Sequence, residues 1–235
     1  MTKKWLLLVV CLGIVSPLGK AKGSASKVDS QIDKATAVLN EIMATPDKGI
    51  PKDLLDRAVC VGIIPAELRF AIGIGGSYGR GMLVCRRGGT GPWGGPSMFT
   101  LGGANIGFQL GGRATDVVFI VMNPTGAKKL VADSVKLGAD ASATAGPVGR
   151  TAEGATDAQM RAEILSYSRT RGLFAGVSLA GAVVKQDHDD NKKLYGKDIS
   201  PKDILFSGKV APPASAGHLD QALTHYSPHG GQKIQ

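Results

Sequence analysis

Apolar residues recur at Val28, Ile32, Ala35, Leu39 and Ile42, a spacing of three or four that lays them along one stripe of an α-helix. Asp29, Asp33, Lys34, Asn40 and Glu41 fall on the other side, and Thr45-Pro46 ends the pattern. Pro51 opens a second, short helix through Ala58, because proline suits the first helical position. The periodicity then changes. Residues 59–64 form an unbroken apolar run stopped by Pro65, which predicts a buried strand. Residues 70–87 are strand-like again, with Gly73, Gly75, Gly76, Gly79 and Gly81 crowded in the middle. Residues 88–96 are turn-rich and hold Trp93. Residues 98–112 alternate, Ile106, Phe108 and Leu110 against Asn105, Gly107, Gln109 and Gly111.

Residues 117–122 predict a fully apolar strand. Asn123-Pro124 opens a short helix with Ala127, Leu130 and Val131 facing inward. Residues 135–149 read as small-residue strand and turn, and 150–160 as a polar loop. Residues 164–168 and 174–184 make a strand pair turning at Arg171-Gly172. Residues 187–195 form a polar helix. Ser200 caps a last helix, with Pro201 at its first position and Asp203 near the positive end of its dipole. No βαβα alternation is sustained, so the class is α+β: glycine-rich antiparallel hairpins forming a curved sheet or barrel, with an N-terminal amphipathic helix and short peripheral helices. The expected organisation is one domain over residues 24–207 and a flexible tail over 208–235, rich in Pro, Ala, Ser, Gly and His.

Composition sharpens this picture. The 235 residues are 43% apolar but only 5% aromatic, and the 33 glycines are roughly twice the usual share. That argues for tight turns and close backbone approaches rather than a helix bundle. Residues 1–23 read as a signal peptide: Lys3 and Lys4 precede an apolar stretch from Trp5 to Val15, Pro17 breaks it, and Gly19-Lys20-Ala21 offers small residues for cleavage. An uncleaved anchor is the alternative. The formal charge of +9 falls to +6 if Lys3, Lys4 and Lys20 leave with it. This excess favours anionic partners. The basic residues are scattered, so nucleic acid is not an expected partner. Cys60 and Cys85 sit in apolar runs. Two buried thiols are the favoured expectation, and a disulfide, which an oxidising compartment permits, is the other.

Few motifs promise chemistry. Gly75-Gly76-Ser77-Tyr78-Gly79 matches a nucleophile elbow, yet strand-like residues follow where the elbow needs a helix, and no histidine precedes His188. Asp187, Asp189, Asn191 and Asp198 fit a calcium-loop count, but Lys192 stands where the loop needs glycine; a helix start rich in acids explains them as well. His218, His225 and His229 lack a ligand cluster. No catalytic set, metal site or cofactor is expected. The candidate binding residues are Arg80, Arg86, Arg87, Lys128, Lys129, Arg169 and Arg171: gathered at one end of the hairpins they would form a phosphate-binding patch, and dispersed they are a solvated surface.

Three ordered segments carry a family resemblance. Phe70-Ala71-Ile72-Gly73-Ile74-Gly75-Gly76-Ser77-Tyr78-Gly79-Arg80-Gly81 resembles the first signature of the SYLF family. Trp93 to Pro96, with Gly102-Gly103 and Asn105-Ile106-Gly107, resembles its centre. Arg171-Gly172-Leu173-Phe174-Ala175-Gly176-Val177-Ser178-Leu179-Ala180-Gly181 resembles its most distinctive segment, and Tyr195-Gly196 its end. The likeness runs from about residue 28 to 207 and implies an exported, bacterial-type member. Family members are lipid-binding modules, phosphoinositides being the ligands of eukaryotic relatives, and yeast-type relatives bind actin. The resemblance therefore implies a non-enzymatic protein that meets an anionic phospholipid membrane surface through its N-terminal helix and basic residues. The alternative it leaves is a structural or protein-interaction domain with an envelope or host protein as partner.

Overall fold

The computed structural model describes residues 26–44, 49–72, 74–105, 111–148, 161–170, 173–228 and 230. The expected signal segment, the alternation at 106–110, the loop at 150–160, the Arg171-Gly172 turn and His229 lie outside the described residues.

Helix α1 (Lys27–Met43) buries Val28, Ile32, Ala35, Val38, Leu39 and Ile42, the stripe its periodicity predicts. Ser26 and Asp29 close a capping box at its start: the Asp29 N–H donates to Ser26 Oγ at 3.1 Å, and the Ser26 N–H donates to Asp29 Oδ2 at 3.1 Å. Helix α2 (Lys52–Arg57) follows, entered from Pro51.

Nine strands form one sheet: β1 (Cys60–Ile72), β2 (Ile74–Cys85), β3 (Ser97–Asn105), β4 (Gly111–Val121), β5 (Ser134–Lys136), β6 (Ala143–Ala145), β7 (Ile164–Thr170), β8 (Leu173–Gly176) and β9 (Val183–Gln186). Their order is β5-β9-β3-β2-β1-β4-β7-β6, and β8 pairs with the same edge of β7 as β6. Every pairing is antiparallel except β6 with β7. Short connections force this sheet to roll up. Laid flat, seven interstrand spacings of about 4.8 Å would put β5 and β6 about 34 Å apart. The chain covers Lys136 to Ala143 in seven steps, which span at most about 25 Å. The segment from β8 to β9 repeats the closure: the Val177 N–H donates to Ser166 O on β7 at 3.0 Å, while Leu137, just past β5, donates to Ala182 O at 2.8 Å and accepts from the Gly181 N–H at 2.8 Å.

Rolling gives the sheet two buried faces and explains its unbroken apolar runs. On one face, Val61, Ile63, Met82, Val84, Val118 and Ile120 pack beneath α1. On the other, Ile64, Phe99, Leu101, Val117, Phe119 and Val184 fill the curl, which helices α3 (Pro124–Leu130) and α5 (Pro201–Phe206) cover with Ala127, Leu130, Ile204 and Leu205. Each such fully buried Leu, Ile, Val or Phe contributes about 1.5–3 kcal/mol. The close approach needs glycine at Gly62, where a Cβ would lie 2.1 Å from Phe119 Cζ. Helix α4 (His188–Tyr195) is capped by the Asp187 side chain and ends at Gly196, whose φ is +69°.

Several boundaries differ from expectation. Strand β1 does not stop at Pro65 but passes it through a bulge: Ile64 to Glu67 faces Val117 to Thr115, three steps against two. Ala66 takes φ +54°, and its N–H donates to Asp116 Oδ1 at 3.0 Å. The run at 70–87 is two strands, the end of β1 and all of β2, paired as a hairpin at Ile72 and Ile74. The run at 174–184 is also two: β8 stays with β7, and β9 crosses to pair with β3 and β5. Cys60 and Cys85 are direct cross-strand partners, with Cα atoms 4.0 Å apart, and they form a disulfide rather than two buried thiols.

The expected flexible tail holds helix α6 (Gly217–Tyr226), which packs along α1 with Leu219, Ala222 and Leu223 buried. Beyond it, Ser227 is wholly buried. Its Oγ donates to Asp56 Oδ1 at 2.6 Å, and its carbonyl accepts from Arg86 Nη2 at 2.9 Å and Trp93 Nε1 at 3.1 Å.

Candidate membrane-facing end of the sheet

Strand register separates the six described basic candidates into two groups. Arg80 lies midway along β2, and Arg169 lies near the β8 end of β7. Arg86, Arg87, Lys128 and Lys129 lie at the other end, after β2 and on α3. Arg171 falls outside the described residues. The six described residues do not converge in one patch.

Three of them serve the fold. Arg86 is fully buried, donates to Ala58 O at 3.2 Å and to Ser227, and stacks its guanidinium 4.1 Å from the Trp93 ring centroid. Burial pushes its pKa down, and the Asp56 charge opposes this. Lys129 is held by both carboxylate oxygens of Glu163, at 2.8 and 3.0 Å. Burial alone would raise the Glu163 pKa, but hydrogen bonds from Lys129 and Ser142 outweigh it and hold the carboxyl below its usual range. Arg169 donates from Nη2 to Asp116 at 2.9 Å and pairs with Glu41 at the end of α1. Arg80 keeps 42% of its side chain exposed while pairing with Asp190 at 3.2 Å. Arg87 is half-buried beside Asp220, whose carboxyl burial pushes up while the Arg87 charge pulls it down.

The other candidates resolve plainly. Ser77 sits within β2, in register with Gly103, and no helix follows, so the elbow geometry is absent. Asn191 is buried, accepting from the Met98 N–H at 2.7 Å and donating to Ser97 Oγ at 3.2 Å. Asp187 caps α4. Those two side chains hold structure in place of a calcium loop.

The hairpin end has its own character. Helix α1 crosses the sheet between Arg80, whose carbonyl accepts from Gln31 Nε2 at 2.8 Å, and Arg169, which Glu41 engages. Past that line β1 to β4 run on without it. Leu68 pairs with Tyr78, Phe70 with Gly76, and Ile72 with Ile74; Tyr78 also pairs with Gly102, and Leu68 with Ala114. Beyond the Leu68–Tyr78 pair, the described residues of these strands include two charges, Arg69 and Arg113, which are register partners one step out. From there to the Ile72–Ile74 pair no charged residue occurs. Tyr78 is 47% exposed, and Leu173, which opens β8 at the same end on the opposite parity, is 79% exposed; they are the exposed large apolar side chains among the described residues. Isolated exposed apolar residues are ordinary, and these two stand on opposite parities near the base of the projection.

A family model described as "Ysc84: Las17-binding protein actin regulator" matches residues 102–226. The chain belongs to the Ysc84 (SYLF) family. Among curated relatives, LAS seventeen-binding protein 3 of Saccharomyces cerevisiae is 34% identical over 228 residues, covering 94% of this chain and 49% of its own length. Protein YSC84 of the same yeast is 32% identical over 215 residues, 90% and 45% respectively. The human SH3 domain-containing YSC84-like protein 1 is 32% identical over 219 residues, 89% and 63%. The chain thus spans about half to two thirds of the Ysc84-family relatives it matches, and the matched family segment runs through α6, not stopping at residue 207.

The sequence pattern missed Ser227 and its partners, and no local signal marks them. The projecting end was within reach: the alternate positions Leu68, Phe70, Ile72 and Ile74 are visible once the hairpin is placed at residues 72–74.

Proposed function

We propose that this Ysc84-family domain is a non-enzymatic module that seats the projecting end of its sheet in an anionic phospholipid surface. The observation that carries the proposal is the uncharged end of β1 to β4, collared by basic residues. Two residue steps from Phe70 to Ile72 at about 3.4 Å each give about 7 Å, within the roughly 15 Å of hydrocarbon in one leaflet. Tyr78 and Arg80 then fall at headgroup depth, where tyrosine is at home and guanidinium meets phosphate, and the Arg69–Arg113 register pair lies one step past Tyr78. The Cys60–Cys85 disulfide supports export to a periplasmic or extracellular space.

The test is depth-dependent fluorescence quenching with brominated phospholipids in anionic vesicles. The full chain carries Trp5→Phe and either Tyr78→Trp or, at the opposite end, Thr90→Trp. The expected result is quenching at position 78 and none at 90, with Trp93 buried as the baseline. Vesicle-bound protein unquenched at both positions would sink the proposal. The second reading, that this end docks a protein, is favoured by the family description; vesicle-indifferent protein would turn attention to it.

A further inference from the structure

We infer that the opposite end of the molecule holds a separate site for a single-chain anionic amphiphile, a fatty carboxylate or an alkyl phosphate. A groove of about 640 Å³ opens there between the turn at Gly88, helix α3 and helix α5, lined by Lys128, Val131, Lys202, Asp203 and Phe206. That volume lies within the roughly 300–1,000 Å³ of small-molecule sites. Its charge is arranged for an anion. Lys128 and Lys202 are exposed, and neither forms an ion pair among the described residues. Arg87 adjoins the Gly88 rim. The single lining carboxylate, Asp203, is turned to local use: it accepts from Ser200 Oγ at 2.7 Å, and its own N–H donates back to Ser200 at the start of α5.

The rest of the lining is apolar. Val131 and Phe206 are half-buried, packing on the inner core yet facing the groove, and the lysine stems add further hydrocarbon. Two ammonium groups over an apolar wall match a charged head with one chain. A bare inorganic ion would leave the wall wet, and a neutral chain would leave the lysines unanswered. Gly88, at φ +61°, turns the rim by a conformation other residues resist.

The site stands apart from the membrane-facing end, so the two fail separately. Isothermal titration of the full chain with laurate and with dodecyl phosphate, both below micelle formation, tests it. Inorganic phosphate and the neutral monolaurin serve as comparators. Saturable one-to-one binding of both anionic amphiphiles is expected, with either comparator at least about tenfold weaker (about 1.4 kcal/mol). Lys128→Ala/Lys202→Ala and, separately, Phe206→Ser should each cost about tenfold, while Ile74→Asp at the far end changes nothing. Equal affinity for monolaurin, binding untouched by the double lysine substitution, or no saturable binding would each overturn the inference. Because both lysines are exposed and unpaired among the described residues, an unchanged melting temperature confirms that the double variant is folded.

Discussion

Arg86 reaches Ser227 across 141 positions of sequence, donating from Nη2 to its carbonyl at 2.9 Å and to its hydroxyl at 2.6 Å. Both residues are fully buried, and Asp56 and Trp93 complete the cluster. The contact fastens the end of α6 to the turn after β2 and so clamps α6 along α1.

Removing a partner from a buried charged cluster leaves the other uncompensated. Arg86→Ala should therefore cost about 3–5 kcal/mol, and Ser227→Ala about 1–3 kcal/mol. Arg86→Lys should not rescue, because an ammonium cannot supply the planar fork that spans Ala58, Ser227 and Trp93. Urea denaturation of the three variants measures this. A Ser227→Ala midpoint equal to that of the parent would refute the clamp.

The disulfide makes a second prediction. Closing a loop over a sequence separation of 25 should stabilise by about 3 kcal/mol through the unfolded chain. Cys60→Ala/Cys85→Ala should lower the denaturation midpoint accordingly. Alkylation of the unreduced, unfolded protein should leave both cysteines unlabelled in mass spectrometry; labelling would disprove the bond.

Acid should weaken the fold through two named carboxylates. Burial raises the Asp56 pKa, but hydrogen bonds from Lys52 and Ser227 and the charges of Lys52 and Arg86 outweigh it, leaving Asp56, like Glu163, depressed in the folded state. A depressed carboxylate binds its proton more readily when unfolded. Its contribution is present above the ordinary carboxylate range and is lost as pH falls through the folded pKa. Melting temperature should drop below about pH 4.5, and Glu163→Gln should flatten that drop while lowering stability at neutral pH. An unchanged slope in the variant would contradict the assignment.

Gly62→Ala tests the close approach of β1 to β4. Its new methyl would collide with the Phe119 ring, a site with no slack, and should cost about 1–3 kcal/mol by overpacking. A second substitution, Phe119→Leu, should recover part of the loss; additive losses in calorimetry would argue against the contact.

Residue spacing revealed α1 because its stripe and cap are local. The same logic would have found α6, where Leu219, Ala222, Leu223 and Tyr226 keep helical spacing inside a segment whose prolines, glycines and histidines suggest disorder. Strand ends were less legible. Pro65 looks like a stop, yet a bulge lets β1 continue, and bulges depend on the partner strands. The split between β8 and β9 was hidden because both are apolar, and pairing alone separates them. The basic residues were visible, but not which of them a carboxylate had already claimed: Lys129 and Arg169 are engaged by residues 34 and 53 positions away.

The rolled sheet also bears on self-association. Its lateral edges end in β5 and β6, three residues each, and the segments linking them lie close by, so little template remains there for another chain to extend. Where β3 passes Gly102 and β4 precedes Asp116, each pairs on one side among the described residues. Among the described residues, the open edges of the longer strands are thus confined to the hairpin end of β1 to β4. In water that end is the aggregation hazard of the chain, and whatever covers it acts as the chain's solubiliser.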